Sequence, residues 1–287
     1  MYTYTFIIPH RNSPDLLNRC LNSIPSRDDI QIIVVDDNSD KALKPNIERD
    51  DIEIIYLNKE TSKGAGRARN EGLKRAKGNW LLFADCDDYY TQGFIEVLDE
   101  YSGLDIDVLY LNFDFIDGIT GEELPELPFA KFFNQYDGTK SSADNIKFHH
   151  NVPWTKMVKR VFIEKNDILF EEVINGNDIL FSLRVGYCAK NILVEKQKLY
   201  NYIRNSNSIL TKIPTTKENL CRIIHNIQLN RVYQVLGHPE WHISTPSLIK
   251  SKYKNGHNIE FCVLLLSLLI YIPRIIVLRN KWLEYFN

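Results

Sequence analysis

Short apolar runs alternate with helical segments through the first ninety residues of the chain. The runs lie at residues 4–9, 30–36, 52–57 and 80–85. Each is a nearly uninterrupted series of branched and aromatic side chains, which is typical of strands buried in a parallel sheet. Parallel strands need crossover connections, and the intervening helical segments supply them. The pattern therefore predicts an α/β fold with a Rossmann-like, mostly parallel sheet.

Two amphipathic segments are predicted as helices of this alternation. The first, SPDLLNRCLNSI, has Ser13 as a favourable N-cap and Pro14 at the first helical position. The second, AGRARNEGLKRAKG, turns Leu73 and Ala76 inward and is stopped by Gly78. Both segments therefore have a face that can pack against the sheet.

Composition excludes several classes of protein. Lys and Arg number 35 against 37 Asp and Glu, and the net charge of −2 gives no general affinity for nucleic acid. The five cysteines are scattered and form no CxxC pair, which predicts reduced thiols in a cytoplasmic protein. The first residues, MYTYTFIIPHRN, lack the long apolar core of a signal peptide.

The alternation becomes less regular after residue 100. Residues 105–117 and 192–203 are predicted as strands, and residues 151–170 and 177–190 as helical or mixed. Residues 118–150 are polar and contain prolines, which predicts a loop or lid. Residues 216–236 are predicted as a helix.

The chain is predicted to divide into an α/β domain, residues 1–210, and a helical extension, residues 211–287. Within the extension, residues 261–273 form an uncharged apolar run, FCVLLLSLLIYIP. A helix needs about 20 apolar residues to cross a bilayer, so this run is too short. Lysines and arginines flank it, which favours a segment lying on an anionic membrane surface. A helix buried against the α/β domain or against a dimer partner is the alternative.

Polar side chains collect where the predicted strands end. Arg11 follows the first strand, and Asp36 and Asp37 end the second. Residues 58–66, NKETSKGAG, lead from the third strand into a helix, and the fourth strand ends in DCDD at residues 85–88. Ligands of open α/β sheets bind beyond the carboxyl ends of the strands. A binding site is therefore expected at this edge.

Asp85, Asp87 and Asp88 are crowded closely enough to repel one another unless a cation neutralises them. Carboxylate oxygens suit a hard ion such as Mg²⁺ or Mn²⁺, and phosphate oxygens commonly complete its coordination. Asp85-Cys86-Asp87 therefore has the form of a metal clamp for a diphosphate. Alone the pattern is weak evidence, because most acidic turns at strand ends are simply solvated.

The neighbouring strand ends strengthen this interpretation. Asp36 and Asp37 can accept hydrogen bonds from a base or a ribose, although a polar turn is the simpler explanation. Gly64 precedes a helix N-terminus, which can bind an anion. Arg67 and Arg69 can contact phosphate, although arginines on a solvated helix face are more common.

Four segments, taken in order, resemble a family 2 glycosyltransferase of the GT-A fold: TFIIPHRN, IIVVDDNSD, GAGRARNEGLKRAKGNWLLFADCDD and PWTKMVKRVFIEKNDILF. The resemblance covers most of residues 3–210. It implies a nucleotide-binding half, residues 1–100, and an acceptor and catalytic-base half, residues 101–210. It also implies an inverting mechanism, a divalent metal (Mn²⁺ or Mg²⁺) and a nucleotide-diphosphate sugar donor, namely a UDP-sugar.

The resemblance also implies roles for single residues. Asp85 and Asp87 would hold the metal and its diphosphate, and Asp178 would be the catalytic base. Asn177 stands where the family has a glutamate, and an exposed aspartate at a helix start is the plainer explanation of Asp178. The Q-x-x-R-W motif of processive synthases is missing, which argues against polymer synthesis. The residues expected to bind the sugar nucleotide are Pro9, Arg11, Asp36, Asp37, Gly64, Arg67, Arg69, Asp85 and Cys86.

The predicted activity is sugar transfer to a hydroxyl of a glycan or lipid-linked acceptor, in surface polysaccharide or glycolipid assembly at the inner face of the cell membrane. One alternative is an inactive nucleotide-sugar-binding module, which Asn177 favours. The other is a phosphoacceptor receiver domain, whose acidic pair IIVVDDNS imitates. A receiver needs a helix directly after that pair, and residues 40–51 are too polar and proline-interrupted to form one.

Overall fold

The computed structural model describes residues 1–173, 176–205, 216–243 and 285–286. In this part of the chain, one sheet of eight strands is built from residues 4–204. The strand order is β3-β2-β1-β4-β7-β6-β8-β5. The strands are β1 (Tyr4–His10), β2 (Ile30–Asp37), β3 (Ile52–Leu57), β4 (Trp80–Phe83), β5 (Tyr89–Tyr90), β6 (Val108–Asp117), β7 (Lys156–Lys159) and β8 (Ile192–Arg204).

The first half of the sheet is parallel, as the sequence predicts. β1 lies between β2 and β4, and β3 pairs with the far side of β2. Every residue of β1, β2 and β4 is buried, whereas β3 is only half-buried because it is an edge strand. The carboxyl ends of β1, β2 and β4 therefore meet at one edge, where the polar segments follow them.

The second half of the sheet is mixed. β7 is antiparallel to both of its neighbours, β4 and β6, while β6 and β8 run parallel. β7 lies in the region predicted only as helical or mixed. Its four residues, KMVK, begin and end with lysine, and only Met157 and Val158 give an apolar signal for a strand.

Among the described residues, seven α-helices belong to the part of the chain that forms the sheet, and an eighth follows it in the sequence. The first two, α1 and α2, confirm the two helices predicted first. Pro14 occupies the first turn of α1, but the Ser13 side chain makes no capping bond and instead donates to the Arg11 carbonyl at 3.3 Å. The helices are α1 (Pro14–Asn22), α2 (Ala65–Arg75), α3 (Phe94–Ser102), α4 (Lys131–Gln135), α5 (Lys140–His149), α6 (Arg160–Lys165), α7 (Ile179–Cys188) and α8 (Thr216–Val235).

The prediction that residues 118–150 form a loop or lid is wrong for their second half, which contains α4 and α5. Phe133 and Ile146 are fully buried and anchor these helices on the core. Thr139 caps α5, because its hydroxyl oxygen accepts from the Ser142 amide at 3.3 Å. The sequence gives little signal for these helices, because most of their residues are polar and few apolar side chains anchor them on the core.

The chain separates into two compact units, Met1–Ser206 and Asn207–Asn287. In the second unit the structure describes α8 and residues up to 243, together with residues 285–286. Residues 261–273, predicted to contact a membrane or a partner, lie outside the described residues. Within the described part of the chain, no helix combines the length and apolarity that a bilayer crossing requires.

Candidate active site

The acidic segment after β4 forms a tight turn at the edge where the parallel strands end. The Asp88 amide donates to the Asp85 carbonyl at 3.0 Å, which closes the turn. Asp85, Cys86 and Asp87 are half-buried at this edge, whereas Asp88 is fully buried. The three neighbouring carboxylates therefore occupy two different environments.

Asp88 is a structural residue. Its carboxylate accepts from the Tyr200 hydroxyl at 2.8 Å and from the Ile203 amide at 2.8 Å. The Tyr200 hydroxyl in turn accepts from the Asp85 amide at 3.0 Å. These bonds tie β8 to the acidic turn and fix the backbone of Asp85.

Among the described residues, Asp85 and Asp87 each bond to a side chain through one carboxylate oxygen, and the other oxygen of each has no side-chain partner. Arg69 Nη2 lies 2.5 Å from Asp85 Oδ1, and Asn205 Nδ2 donates to Asp87 Oδ2 at 3.0 Å. Burial and the nearby charge of Asp85 raise the pKa of Asp87. Burial, with the charges of Asp87 and Asp85, also raises the pKa of the Cys86 thiol, which is therefore neutral between them.

This donor set fits a hard divalent cation. Asp85 and Asp87 offer carboxylate oxygens at a half-buried edge, and their mutual repulsion is what a cation would relieve. Among the residues that the structure describes, no group of three or more His, Cys, Asp or Glu side chains could hold a metal ion. The described residues thus supply these two carboxylates, and a ligand or water would supply further oxygens.

Asp37 carries an acceptor that nothing in the described residues satisfies. Its Oδ2 accepts from the Gly64 amide at 3.0 Å and lies 3.7 Å from the exposed Arg11 Nη1. Its Oδ1 is buried without a hydrogen-bond partner. A buried acceptor left unpaired costs about 1–3 kcal/mol. A ligand N–H or O–H group at this edge would satisfy it.

The Gly64 backbone explains why a glycine opens α2. Gly64 has φ +86°, a conformation that side-chain-bearing residues rarely adopt, and this conformation precedes the helix whose first turn faces the Asp37 carboxylate. Gly66 is required for a second reason, because a Cβ there would lie 2.1 Å from the Glu171 carbonyl oxygen. The start of α2 is thus packed tightly on Glu171 and Asn177.

Asp36, predicted to bind nucleotide, is instead committed to internal partners. His10 Nδ1 lies 2.8 Å from Asp36 Oδ1, and the Ser39 amide donates to Asp36 Oδ2 at 3.1 Å. His10 Nε2 accepts from the Ser13 amide at 3.1 Å, so the imidazole proton is on Nδ1. The Ser39 hydroxyl bonds to Asp36, so these residues do not form the Ser–His–Asp array of a hydrolase.

Pro9 lies near the end of β1, and the residues after His10 form the turn that follows this strand. Pro9 is buried in the strand and pairs with Val35 of β2. Asn12 adopts φ 56°, and its amide donates to the Ser39 hydroxyl at 2.9 Å. The PHRN segment is therefore bound to the turn after β2, which leaves Arg11 as its exposed charged side chain.

The two arginines of α2 differ in role. Arg67 forms surface ion pairs, at 2.9 Å with Glu172 and at 2.6 Å with Glu71, so its guanidinium already has partners other than a phosphate. Arg69 is only 5% exposed and donates to Asn177 Oδ1 at 2.8 Å as well as to Asp85. Arg69 therefore connects the acidic turn after β4 to the residue that precedes Asp178.

Asp178 lies at the N-terminus of α7 but does not cap it with its side chain. It is half-buried, and burial raises its pKa, while the positive charges of Arg69 and Lys156 act in the opposite direction. The Asp178 carboxylate thus lies near Asp85 and Arg69, and it makes no hydrogen bond that caps the helix. This arrangement suits a group that accepts a proton.

Sequence reasoning missed two further groups around this site. Lys156 is fully buried, and its Nζ donates to the carbonyls of His150 at 2.7 Å and Val152 at 2.6 Å. Burial lowers the pKa of Lys156 to about 7. Asn205, which holds Asp87, follows β8 by one residue and carries no sequence signal. The only sequence signal for Lys156 is its place within the apolar segment PWTKMV.

The sheet order and the acidic edge together define a GT-A-type nucleotide-sugar fold. A sequence profile described as glycosyl transferase family 2 matches residues 5–166. The chain belongs to this family, which confirms the resemblance and the predicted fold class. Family membership, together with a mixed sheet that a receiver domain does not have, removes the receiver alternative.

Known relatives and structures agree with this assignment. The poly(ribitol-phosphate) beta-N-acetylglucosaminyltransferase TarS of Staphylococcus aureus is 28% identical over 214 residues, 70% of this chain and 35% of TarS. The minor teichoic acid biosynthesis protein GgaB of Bacillus subtilis is 26% identical over 318 residues, 99% of this chain and 34% of GgaB. The chain thus spans about a third of the length of these relatives.

A crystal structure of S. aureus TarS 1–349 in complex with UDP-GlcNAc matches the fold. The TM-score is 0.63 at 20% identity, and the match covers 100% of this chain and 82% of that chain. This likeness establishes the fold, whereas the roles of single residues depend on the geometry described above.

Proposed function

We propose that the protein is an inverting glycosyltransferase that moves a sugar from a nucleotide-diphosphate sugar to a hydroxyl acceptor. The observation that carries the proposal is the Arg69 link. One guanidinium contacts both Asp85, at the end of β4, and Asn177, next to Asp178. The Arg69 side chain thereby connects Asp85, the proposed metal-binding carboxylate, to the residue beside Asp178, the proposed proton acceptor.

The nucleotide side of the proposed site consists of Asp37, Gly64 and Arg11. The unpaired Asp37 Oδ1 is suited to accept from a base or ribose, and Arg11 supplies an exposed cation nearby. Asp36 and Pro9 support this edge from the core side, because the hydrogen bonds of Asp36 go to internal partners. Arg67 contributes through its ion pairs with the segment beside α2.

Asp85 and Asp87 would hold a divalent ion, Mn²⁺ or Mg²⁺, together with the donor diphosphate. Such an ion, when bound, supplies Lewis-acid stabilisation of the charge that develops on the departing nucleoside diphosphate. Arg69 keeps the Asp85 carboxylate in place, and Asn205 does the same for Asp87. Tyr200 and Asp88 fix the backbone of the turn below them.

Asp178 would accept the proton of the attacking acceptor hydroxyl. General base catalysis of this kind contributes roughly 10²- to 10⁴-fold. Asn177 presents a neutral amide oxygen to Arg69, so the guanidinium is oriented without a second carboxylate beside Asp178. The geometry therefore supports an active enzyme more than an inactive binding module, the alternative that the sequence left open.

The relatives suggest the class of substrate. TarS is named for transfer of N-acetylglucosamine to poly(ribitol phosphate) and was crystallised with UDP-GlcNAc, and GgaB is named for minor teichoic acid biosynthesis. We therefore propose a UDP-sugar as donor and a surface polysaccharide or lipid-linked glycan as acceptor. Contact with the inner face of a membrane, and a homodimer, remain proposals that depend on residues 261–273.

Thermal stabilisation by sugar nucleotides tests the proposed function. We expect a UDP-sugar to raise the Tm in the presence of Mn²⁺ or Mg²⁺, and to raise it much less with chelator, because the diphosphate binds through the ion. Saturation at 100 times Kd corresponds to about 2.7 kcal/mol of added stability. GDP-, CDP- and dTDP-sugars serve as matched controls for the base.

Two results would contradict this proposal. If no sugar nucleotide changes the Tm with or without metal, the edge is not a nucleotide-sugar site. If a UDP-sugar stabilises the protein but neither hydrolysis nor transfer is detected over hours, the inactive binding module is the better description.

A further inference from the structure

A row of stacked aromatic side chains leads from the core to the acidic edge. We call Tyr200, Trp154, Tyr202 and Phe115 the aromatic row. The Trp154 ring is nearly parallel to Tyr200, at 11° and 5.1 Å, and to Tyr202, at 14° and 5.1 Å. Phe115 stacks on Tyr202 at 16° and 5.3 Å. The first two members are buried, and Tyr202 and Phe115 are half-buried, so the row opens at its outer end.

The position of Tyr202 follows from that of Tyr200. Tyr200 reaches the acidic turn with its hydroxyl, which contacts Asp88 at 2.8 Å and the Asp85 amide at 3.0 Å. Tyr202 is two residues further along β8, so it projects from the same face about 7 Å away. Asn205, a little further along the chain, contacts Asp87. The Tyr202 phenol is thus expected on the same side of the Asp85–Asp87 turn as the Tyr200 phenol.

The hydroxyl of Tyr202 is uncommitted. Among the described residues it has no hydrogen-bond partner, unlike the Tyr200 hydroxyl, and it is not one of the buried atoms left unpaired. Its ring is nevertheless held by Trp154 and by Phe115. A fixed ring that presents a free, accessible hydroxyl is a preorganised hydrogen-bonding group.

The electrostatic surroundings keep this hydroxyl a donor. Burial raises the pKa of Tyr202, and the charges of Asp88, Asp85, Asp87 and Asp178 raise it further. The same charges place the phenol within the field of the proposed metal ligands and of the proposed base. A protonated phenol in this field favours a neutral partner with an oxygen acceptor.

We propose that Tyr202 donates a hydrogen bond to a hydroxyl of the acceptor, which is a sugar or polyol lying against the outer end of the aromatic row. The inference rests on the proposed function. The row belongs to β6, β8 and the turn before β7, whereas Asp37, Gly64 and Arg11 lie on the β1–β2 side of the acidic turn. The exposed edges of Tyr202 and Phe115 can pack on the C–H groups of a sugar or polyol, while the phenol selects one hydroxyl.

Tyr202→Phe is the direct test, because it removes only the hydroxyl and keeps the stacked ring. The acceptor probes are methyl glycosides and ribitol phosphate, assayed with the best UDP-sugar and metal. We expect the acceptor KM to rise about 3- to 10-fold, the value of one hydrogen bond. Donor affinity and acceptor-free donor hydrolysis should stay unchanged. Tyr202→Leu, which also removes the ring, should raise the acceptor KM further.

Tyr101→Phe is the matched control. It also removes one phenolic hydroxyl, which donates to Glu195 at 2.7 Å, but it lies on α3 and is not part of the proposed site. Its acceptor KM should equal that of the wild type. The unfolding midpoint of Tyr202→Phe should also equal that of the wild type, because the lost hydroxyl has no hydrogen-bond partner among the described residues.

The possible failures can be told apart. Equal acceptor KM for Tyr202→Phe and wild type, or no transfer to any probe while donor is still hydrolysed, would overturn the inference alone. A matching loss of donor affinity in Tyr202→Phe would place the hydroxyl on the donor and overturn it as well. Absence of metal-dependent donor binding in the wild type would refute the proposed function, and the inference with it.

Discussion

Replacing Asp87 by Asn should abolish detectable sugar transfer and remove the metal dependence of nucleotide binding. An amide oxygen is a weak ligand for a hard divalent ion, and only Asp85 would remain as a carboxylate. The fold should tolerate the change, because the amide oxygen can still accept from Asn205, which donates to Asp87 at 3.0 Å. Removing one of two carboxylates that repel each other also adds no charge repulsion to the folded state.

Calorimetric titration with a UDP-sugar, with and without Mn²⁺, measures this effect together with a transfer assay. Asp88→Asn is the matched control, since it makes the same chemical change one residue away. The two Asp88 oxygens accept from the Tyr200 hydroxyl and the Ile203 amide, each at 2.8 Å, and an asparagine keeps only one acceptor oxygen for these two donors. We expect Asp88→Asn to lose about 1–3 kcal/mol of unfolding free energy. Full activity of Asp87→Asn in chelator would exclude a metal role for Asp87.

Asp178→Asn should reduce kcat by about 10²- to 10⁴-fold while nucleotide affinity stays near that of the wild type. The amide keeps the size of the side chain but cannot accept the proton of the acceptor hydroxyl. Because the Asp178 side chain makes no capping bond, the start of α7 should be unaffected. Loss of nucleotide binding in this variant would instead show that Asp178 supports the donor site.

The pH dependence of kcat provides an independent check on Asp178. A base must be ionised to act, so activity should fall as the pH drops through the pKa of this carboxyl. Burial raises that pKa above the ordinary value of about 3.9, so the acid limb should lie at higher pH than for a solvated aspartate. The limb should disappear from the residual activity of Asp178→Asn. An unchanged limb in that variant would assign the titration to another group.

The parallel half of the sheet could be predicted from the sequence because its strands are uninterrupted apolar runs. Residues 52–57 were predicted as a strand with the bounds that the structure gives to β3. The helices α4 and α5 could not be predicted, because Phe133, Ile146 and Phe148 are spread thinly through a polar segment. β7 was missed because lysines begin and end it, and one of them, Lys156, is buried through bonds to carbonyls outside the strand.

The sequence predicts a site at the edge where the parallel strands end, but it does not show how neighbouring residues of that site differ in their contacts. Asp36 and Asp37 are adjacent, and only three-dimensional contacts show that Asp36 is saturated while Asp37 keeps an unpaired oxygen. In the same way, only three-dimensional contacts distinguish the half-buried Asp87 from the fully buried Asp88. Neighbours on a strand or turn face opposite directions, so identical residue types have different surroundings.

Long-range contacts were also beyond sequence reasoning. Arg69 was predicted as a phosphate ligand from its place on α2, yet its partners are Asp85 and Asn177, the latter 108 positions away. Tyr202 carries no motif, and its significance comes from Tyr200, Trp154 and Phe115 around it. Pairs distant in the chain are specified by the packing of the whole sheet.

We infer inverting sugar transfer at the edge shared by Asp85, Asp87 and Asp178. The anomeric configuration of the newly formed product tests it most directly, since a single in-line attack assisted by one base must invert the donor carbon. Proton NMR coupling constants of the product made from an α-linked UDP-sugar provide the measurement. We expect a β-linked product from the wild type, and from Asp178→Asn at the same enzyme concentration a rate of product formation lower by about 10²- to 10⁴-fold. An α-linked product would contradict inverting transfer.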